Sequence, residues 1–167
     1  MGQVPFGVEK NMTTTATKVN TKWETKHVQE VTSNLVASTW LAAHQVISKL
    51  DQKAQQEFHN LLREHKINHY KSLNVKTPMD LVRAIAETDH NVFGSDIEIS
   101  GDTNKATLKY NSCGMWEACQ KLGKFTPEQE KLMGEQCSST WTEIAKNFGF
   151  KYEPKMEKDT YEMTFSK

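Results

Sequence analysis

The chain has 167 residues, 37% of them hydrophobic, which is enough for one domain with a sizeable core. Lysine plus arginine and aspartate plus glutamate each number 21, and this neutral balance argues against a nucleic-acid or membrane-surface binder, which needs a basic excess. Apolar runs are only a few residues long, too short for a transmembrane helix.

Residues 1–20 are predicted to form a disordered arm, because this stretch is rich in threonine and offers only isolated apolar residues for burial. Its start lacks the basic and apolar regions of a signal peptide. The odd number of cysteines, three, favours reduced thiols over a disulfide framework. We therefore expect a cytoplasmic protein with a single domain over residues 21–167.

Three helices are expected in the first half of the chain. Apolar residues recur at three- and four-residue steps from about Trp23 to Leu50. The apolar stripe of this first helix comprises Val28, Val31, Leu35 and Val46. Asp51 is placed to cap a second helix, and Thr77 a third that ends before Gly94.

Two hairpins and two further helices complete the pattern. Residues 96–100 and 107–110 alternate in polarity around a turn, as do residues 150–152 and 161–165 near the end. Between the hairpins, a short helix follows Cys113, and a longer helix starts at Thr126. The order predicts an α+β fold, with N-terminal helices plus an antiparallel sheet of about four strands covered by helices.

Cys113 is the first candidate for chemistry. It lies where a strand gives way to a helix, near unpaired N–H groups that favour the thiolate, so we expect a lowered pKa and the fastest alkylation of the three thiols. A nucleophile needs a base, and His44, in a stretch with few charges, is the best candidate. The alternative is that Cys113 fills a tight corner and His44 is a satisfied buried imidazole.

A ligand pocket is the second candidate site. Cys137 lies on the apolar stripe of the last helix, and flat aromatic side chains could line a pocket beside it. The aromatic candidates are Trp40, Trp116 and Trp141. Residues at helical spacing are more often core, which is the alternative for all of them. Cys119 is interpreted as structural. His65 and His69 are spaced to grip one metal, but charged neighbours indicate a solvated helix end, so no metal site is predicted.

The segment from about Ser95 onward resembles the L-2-amino-thiazoline-4-carboxylate hydrolase-like family and, more distantly, vinyl-reductase-type small-molecule-binding domains. The shared features are a strand, Cys113, a short helix, a capped helix with Cys137, and a terminal hairpin ending at Phe165. Hydrolase-like members commonly carry Asp where this chain has Thr140, and another cysteine in the last strand, where this chain has none. The resemblance therefore implies ligand binding more than hydrolysis.

The leading hypothesis is a small-molecule-binding protein with a cysteine-containing pocket. A thiol hydrolase of the aminothiazoline-carboxylate type, with Cys113 as nucleophile, is the second hypothesis, and a metal- or haem-associated sensor is the third. No nucleic-acid or membrane partner is expected. The cofactor, the oligomeric state and whether the protein is an enzyme stay open at this stage.

Overall fold

The structure is a computed structural model that describes residues 23–157 and 160–167, so the arm expected over residues 1–20 lies outside the described part. The described elements confirm the α+β class. In chain order they are α1 (Thr25–Ile47), α2 (Gln52–Ser72), α3 (Pro78–Phe93), β1 (Asp96–Gly101), β2 (Lys105–Ser112), α4 (Gly114–Leu122), α5 (Pro127–Asn147), β3 (Lys151–Glu157) and β4 (Thr160–Ser166). None of these described helices could cross a membrane, given its length and polarity.

The helix starts that the sequence predicts are confirmed by their hydrogen bonds. The Ala54 N–H donates to the Asp51 carboxyl group over 2.9 Å. Thr77 and Thr126 each form a capping box, in which the threonine hydroxyl accepts from a backbone N–H and a side chain three residues on accepts from the threonine N–H. Each cap satisfies N–H groups that a helix start leaves unpaired, so the caps fix where α2, α3 and α5 begin.

The sheet is antiparallel in the order β1-β2-β4-β3. Leu108 of β2 lies opposite Ile99 on one side and Met163 on the other. The inner face of the sheet is apolar. Its outer face is polar, and there the hydroxyl oxygens of Thr107 and Thr164 lie 2.9 Å apart. β3 is an edge strand and carries an exposed proline, Pro154.

Helices cover the inner face of the sheet. α3 packs on β1 and β2, α5 packs on β3, α2 packs on α5, and α1 packs on α3 and α4. The largest fully buried side chains include Leu81, Val82, Ile85, Leu108, Ile144, Met163 and Phe165. Because α3 and α5 rest on different strands, the inward side chains of the central strands lie between two helices.

The apolar stripe predicted for the first helix does not face the core. Leu35 is 63% exposed and Val46 is 61% exposed, whereas Ser33 and Ala37 are buried. The Ser33 hydroxyl donates to the Gln29 carbonyl oxygen, and it lies 3.2 Å from the Phe93 carbonyl oxygen. Small side chains let α1 lie close to α4, and this close contact prevailed over the periodicity of the larger residues.

The register of β1 and β2 offers a matched pair of substitutions. Leu108→Ala removes a side chain with no exposed surface and should destabilise the protein by about 3 kcal/mol through lost burial and a residual cavity. Its strand partner Ile99 is 41% exposed, so Ile99→Ala should cost less than about 1.5 kcal/mol. Urea denaturation measures both. Equal losses would contradict the burial assigned to these two strands.

Candidate functional site

A group of polar and ionisable side chains lies between α3 and α5, over the central strands of the sheet. Asp89 comes from α3, Tyr110 from β2, Cys137 from α5, and Cys113 from the junction of β2 with α4. Their mutual electrostatic effects place them in one neighbourhood, because the charge of Asp89 raises the pKa of Tyr110, Cys113 and Cys137. We call this group of side chains the thiol recess.

Asp89 is the acidic group of the thiol recess. It lies one turn beyond Ile85 on the buried stripe of α3, and its carboxyl group accepts a short hydrogen bond from the Tyr110 hydroxyl. Burial raises the pKa of Asp89, while the Tyr110 hydrogen bond and the nearby charge of Lys66 lower it. Desolvation prevails, so this carboxyl group is harder to ionise than one in water.

Cys113 is the N-cap residue of α4, as the sequence predicts, but its side chain makes no capping hydrogen bond. Burial raises the pKa of the Cys113 thiol to about 11, and the charges of Asp89 and Cys137 also raise it. The backbone N–H groups of Trp116 and Met115 act in the opposite direction. The expected lowering of this pKa is therefore wrong, because desolvation at this half-buried thiol outweighs the helix start.

Cys137 is the most exposed of the three cysteines. The residue is exposed, and yet burial is the largest cause of the raised pKa of its thiol. Lys66 and a hydrogen bond from Trp141 lower the pKa of Cys137, while Asp89 raises it.

Asp89 and Tyr70 contribute further polar atoms to this group. The Tyr110 hydroxyl is the one hydrogen-bond partner that the described residues give the Asp89 carboxyl group, and they give none to the hydroxyl of Tyr70. No buried side-chain nitrogen or oxygen of the described residues lacks a partner. Asp89 is half-buried, and only 6% of the Tyr70 surface is exposed.

Tyrosines form the sheet side of the recess. The rings of Tyr110 and Tyr161 stack with centroids 6.5 Å apart, and the hydroxyls of Tyr152 and Tyr161 lie 2.5 Å apart. Burial raises the pKa of both Tyr152 and Tyr161, and the charge of Cys137 raises it further. All of these hydroxyls are protonated at neutral pH, so the recess presents neutral donors and aromatic surface.

His44 does not lie beside Cys113. Its ring is 4.1 Å from Trp40 and 5.7 Å from His59, at the contact between α1 and α2. Burial and the charge of His59 lower the pKa of His44. Ser33 lies at the Phe93 carbonyl, which the first residue of α4 also approaches, and His44 is about 16 Å further along α1 at the helical rise. The structure therefore does not bring the expected base to the expected nucleophile.

The predicted aromatic set divides between two places. Trp141 lies beside the thiol recess: its ring centroid is 6.2 Å from that of Tyr70, and Trp141 lowers the pKa of Cys137. Trp40 and Trp116 instead pack around buried Cys119 in a second core cluster, where Trp116 stacks on Phe125 at 5.6 Å. Trp141 and Cys137 thus share a site with Cys113, whereas Trp40 and Trp116 belong to the contact between α1 and α4.

Sequence reasoning missed the polar members of the recess, although their positions carried a signal. Asp89 continues the stripe of Val82 and Ile85 at helical spacing, which is an unusual place for a carboxylate. Tyr110 and Tyr161 continue the inward alternation of their strands. Among the described residues, no group of three or more His, Cys, Asp or Glu side chains is arranged to hold a metal ion.

Two comparisons with known proteins found no similar protein. No family model matches the sequence, and a search of curated proteins found no match. The resemblance to the L-2-amino-thiazoline-4-carboxylate hydrolase-like family therefore stays a prediction that depends on the residues named above.

Alkylation with iodoacetamide tests the thiol assignments. Cys137 should react fastest near neutral pH because it is exposed, and Cys119 slowest because it is buried. The rate at Cys113 should rise about tenfold per pH unit from about pH 7 to about pH 9, since its pKa is about 11. Mass spectrometry of the peptides that contain each cysteine measures the three alkylation rates. A rate at Cys113 that levels off near neutral pH would show a lowered pKa instead.

The raised pKa of Asp89 predicts a pH-dependent cost to stability. Burial makes ionisation of Asp89 harder in the folded protein, so its ionisation lowers the free energy of unfolding. This destabilisation is absent below the pKa of Asp89 in the unfolded chain and is complete above its raised pKa in the folded protein. Asp89→Asn should therefore raise Tm at neutral pH, and the gain should vanish by about pH 3. Glu87→Gln is the control, because Glu87 is exposed on the same helix. A gain independent of pH would contradict this account.

Proposed function

We propose that the protein binds a small organic molecule in the thiol recess, with Cys113 and Cys137 on its wall. One observation carries the proposal: Asp89, Cys113 and Cys137 come from three parts of the chain and act on one another's pKa, and Cys137 among them is exposed. Clustered ionisable groups with perturbed pKa values beside aromatic side chains are typical of binding sites.

The energetics of the recess support the same proposal. Apolar side chains at the positions of Asp89 and Cys137 would fill the space between α3 and α5 without desolvating polar groups. The fold instead keeps the Asp89 carboxyl group at this position. Burial opposes its ionisation, and it accepts a hydrogen bond from Tyr110. Groups of this kind that a core does not need are candidates for recognising a ligand.

The thiol hydrolase is a less well supported alternative. Nucleophilic attack needs a thiolate and a base within hydrogen-bond reach. Burial and the charge of Asp89 both disfavour the Cys113 thiolate, and His44 lies at the contact of α1 with α2. A metal- or haem-associated sensor would have Cys113 and Cys137 as its candidate ligands here, with no histidine among the recess side chains described above.

We also propose that the protein resides in the cytoplasm. All three cysteines are unpaired, and Cys137 is exposed. Exposed free thiols persist in a reducing compartment.

Native mass spectrometry of the gently purified full chain tests ligand binding. We expect a retained small molecule that is lost on denaturation. Cys137→Phe places a bulky ring on the recess wall and should abolish retention. Leu132→Phe enlarges a residue on the same helix that is 54% exposed, so this control should retain the molecule.

Thermal scans with a metabolite extract complete this test. The extract should raise Tm of the ligand-free wild type and of Leu132→Phe by mass action, and should leave Cys137→Phe unchanged. A bare polypeptide mass together with no thermal shift would refute small-molecule binding. An equal shift in both variants would place the ligand outside the thiol recess.

A further inference from the structure

The side of α1 that points away from the core carries a continuous stripe of mostly apolar residues. They follow one another at alternating steps of four and three residues, which is the spacing of a coiled-coil seam. The six residues are Val28, Thr32, Leu35, Thr39, Ala42 and Val46. The buried residues Ser33 and Ala37 lie on the opposite side of the helix, where α1 contacts the end of α3 and packs on α4. We call the six residues the outer stripe of α1.

Solvent reaches the large side chains of the outer stripe. Val28, Leu35 and Val46 are 42%, 63% and 61% exposed. The Thr39 hydroxyl donates to the Leu35 carbonyl oxygen over 2.8 Å, so this polar group is paired within the helix and its methyl group is left for apolar contact. A surface helix normally turns polar and charged residues to the solvent, so an exposed apolar stripe of this length marks a protein interaction site.

Charged residues are missing from the outer stripe and from its borders. Glu30 is the only Asp, Glu, Lys or Arg residue from Val28 to Val46, and it lies about 160° around the helix from the centre of the stripe. The residues that flank the seam are all uncharged, namely Gln29, Val31, Val36, Ser38, Ala43 and Gln45. An acidic or basic partner would find no ion pair to form on this side, whereas a second copy would meet no repulsion between like charges.

The outer stripe is complementary to itself when two copies run antiparallel. A two-fold axis that crosses the stripe between Leu35 and Thr39 places Val28 of one copy opposite Val46 of the other. The remaining layers are Leu35 with Thr39 and Thr32 with Ala42. A larger side chain thus faces a smaller one in each inner layer, as interdigitated packing requires, whereas a parallel pair would leave two alanines facing each other.

We infer that α1 is a dimerisation helix, and that its outer stripe pairs with the same stripe of a second copy in an antiparallel, two-fold symmetric coiled coil. The stripe is about 27 Å long at the helical rise. A single seam of this length, with two threonines and an alanine in it, buries less apolar surface than the interface of an obligate dimer. We therefore expect a reversible dimer with a micromolar Kd. This inference does not depend on the ligand proposed for the thiol recess.

Sedimentation equilibrium of the full chain, from about 1 to about 300 µM, brackets a micromolar Kd and tests the inference. The mass should rise with concentration from that of one chain to that of two. Leu35→Glu places a carboxylate beside the two-fold axis, where the dimer would remove water from it, and should raise Kd at least about tenfold. Leu132→Glu makes the same change at an exposed leucine of α5 and should leave Kd unchanged.

A pair of charge substitutions tests the antiparallel orientation. Val28→Glu and Val46→Lys should each weaken the dimer, because each places an unpaired charge in the seam. In the antiparallel dimer, the double variant brings the new carboxylate of one copy opposite the new ammonium group of the other. It should therefore associate more tightly than either single variant. In a parallel dimer the same double variant would set like charges against each other and would associate more weakly than both.

The wild type alone can overturn the inference. A mass that stays at one chain over the whole concentration range would give the outer stripe to a different occupant. A dimer that Leu35→Glu leaves intact, or that Leu132→Glu weakens equally, would place the interface elsewhere on the protein. Far-UV circular dichroism of each variant should match the wild type, since the substituted side chains are exposed. If a variant has lost helix, the result for the wild type still decides.

Discussion

The close approach of α4 to the end of α3 is the constraint on which the site depends. A Cβ atom on Gly114 would lie 1.8 Å from the Phe93 carbonyl oxygen, so a side chain there would force the two helices apart. Serines hold this contact: the Gly114 N–H donates to the Ser95 hydroxyl over 3.1 Å, and the Ser33 hydroxyl lies near the Phe93 carbonyl. Together these contacts fix the residue before Gly114, which is Cys113.

The position of Cys113 explains why its chemistry departs from what a helix start suggests. The helix does offer N–H groups to the sulfur, and they lower its pKa. The same packing that fixes the residue also removes water from it and brings Asp89 and Cys137 close enough for their charges to act on it. A tightly packed junction therefore holds a neutral thiol, which suits contact with a bound molecule better than attack on one.

Much of the fold could be predicted from local signals, because those signals concern neighbours in sequence. The capping residues Asp51, Thr77 and Thr126 satisfy N–H groups within one turn, and strand alternation depends on the pleat alone. Both signals held. The face of α1 could not be predicted, since Ser33 and Ala37 are buried only because α4 approaches closely.

The site was predictable in part for the same reason. Cys113, Cys137 and Trp141 were identified from their places at a junction and on a stripe, and their electrostatic effects place them near one another. That they bind a ligand stays a prediction. The sign of the pKa shift at Cys113 was not predictable, since it depends on burial and on Asp89, which is distant in sequence. His44 met the criterion of an apolar environment, but that environment is the contact with Trp40 and His59.

The proline of β3 has a consequence for how molecules of this protein meet one another. Pro154 lies opposite Met163 in the outermost strand, and proline has no N–H to offer a further strand. A strand from another molecule that paired with β3 would lack the backbone N–H donor at Pro154, in the middle of the strand. Edge-to-edge growth of the sheet, the route by which exposed strands seed aggregates, is therefore opposed on the β3 side by a single residue.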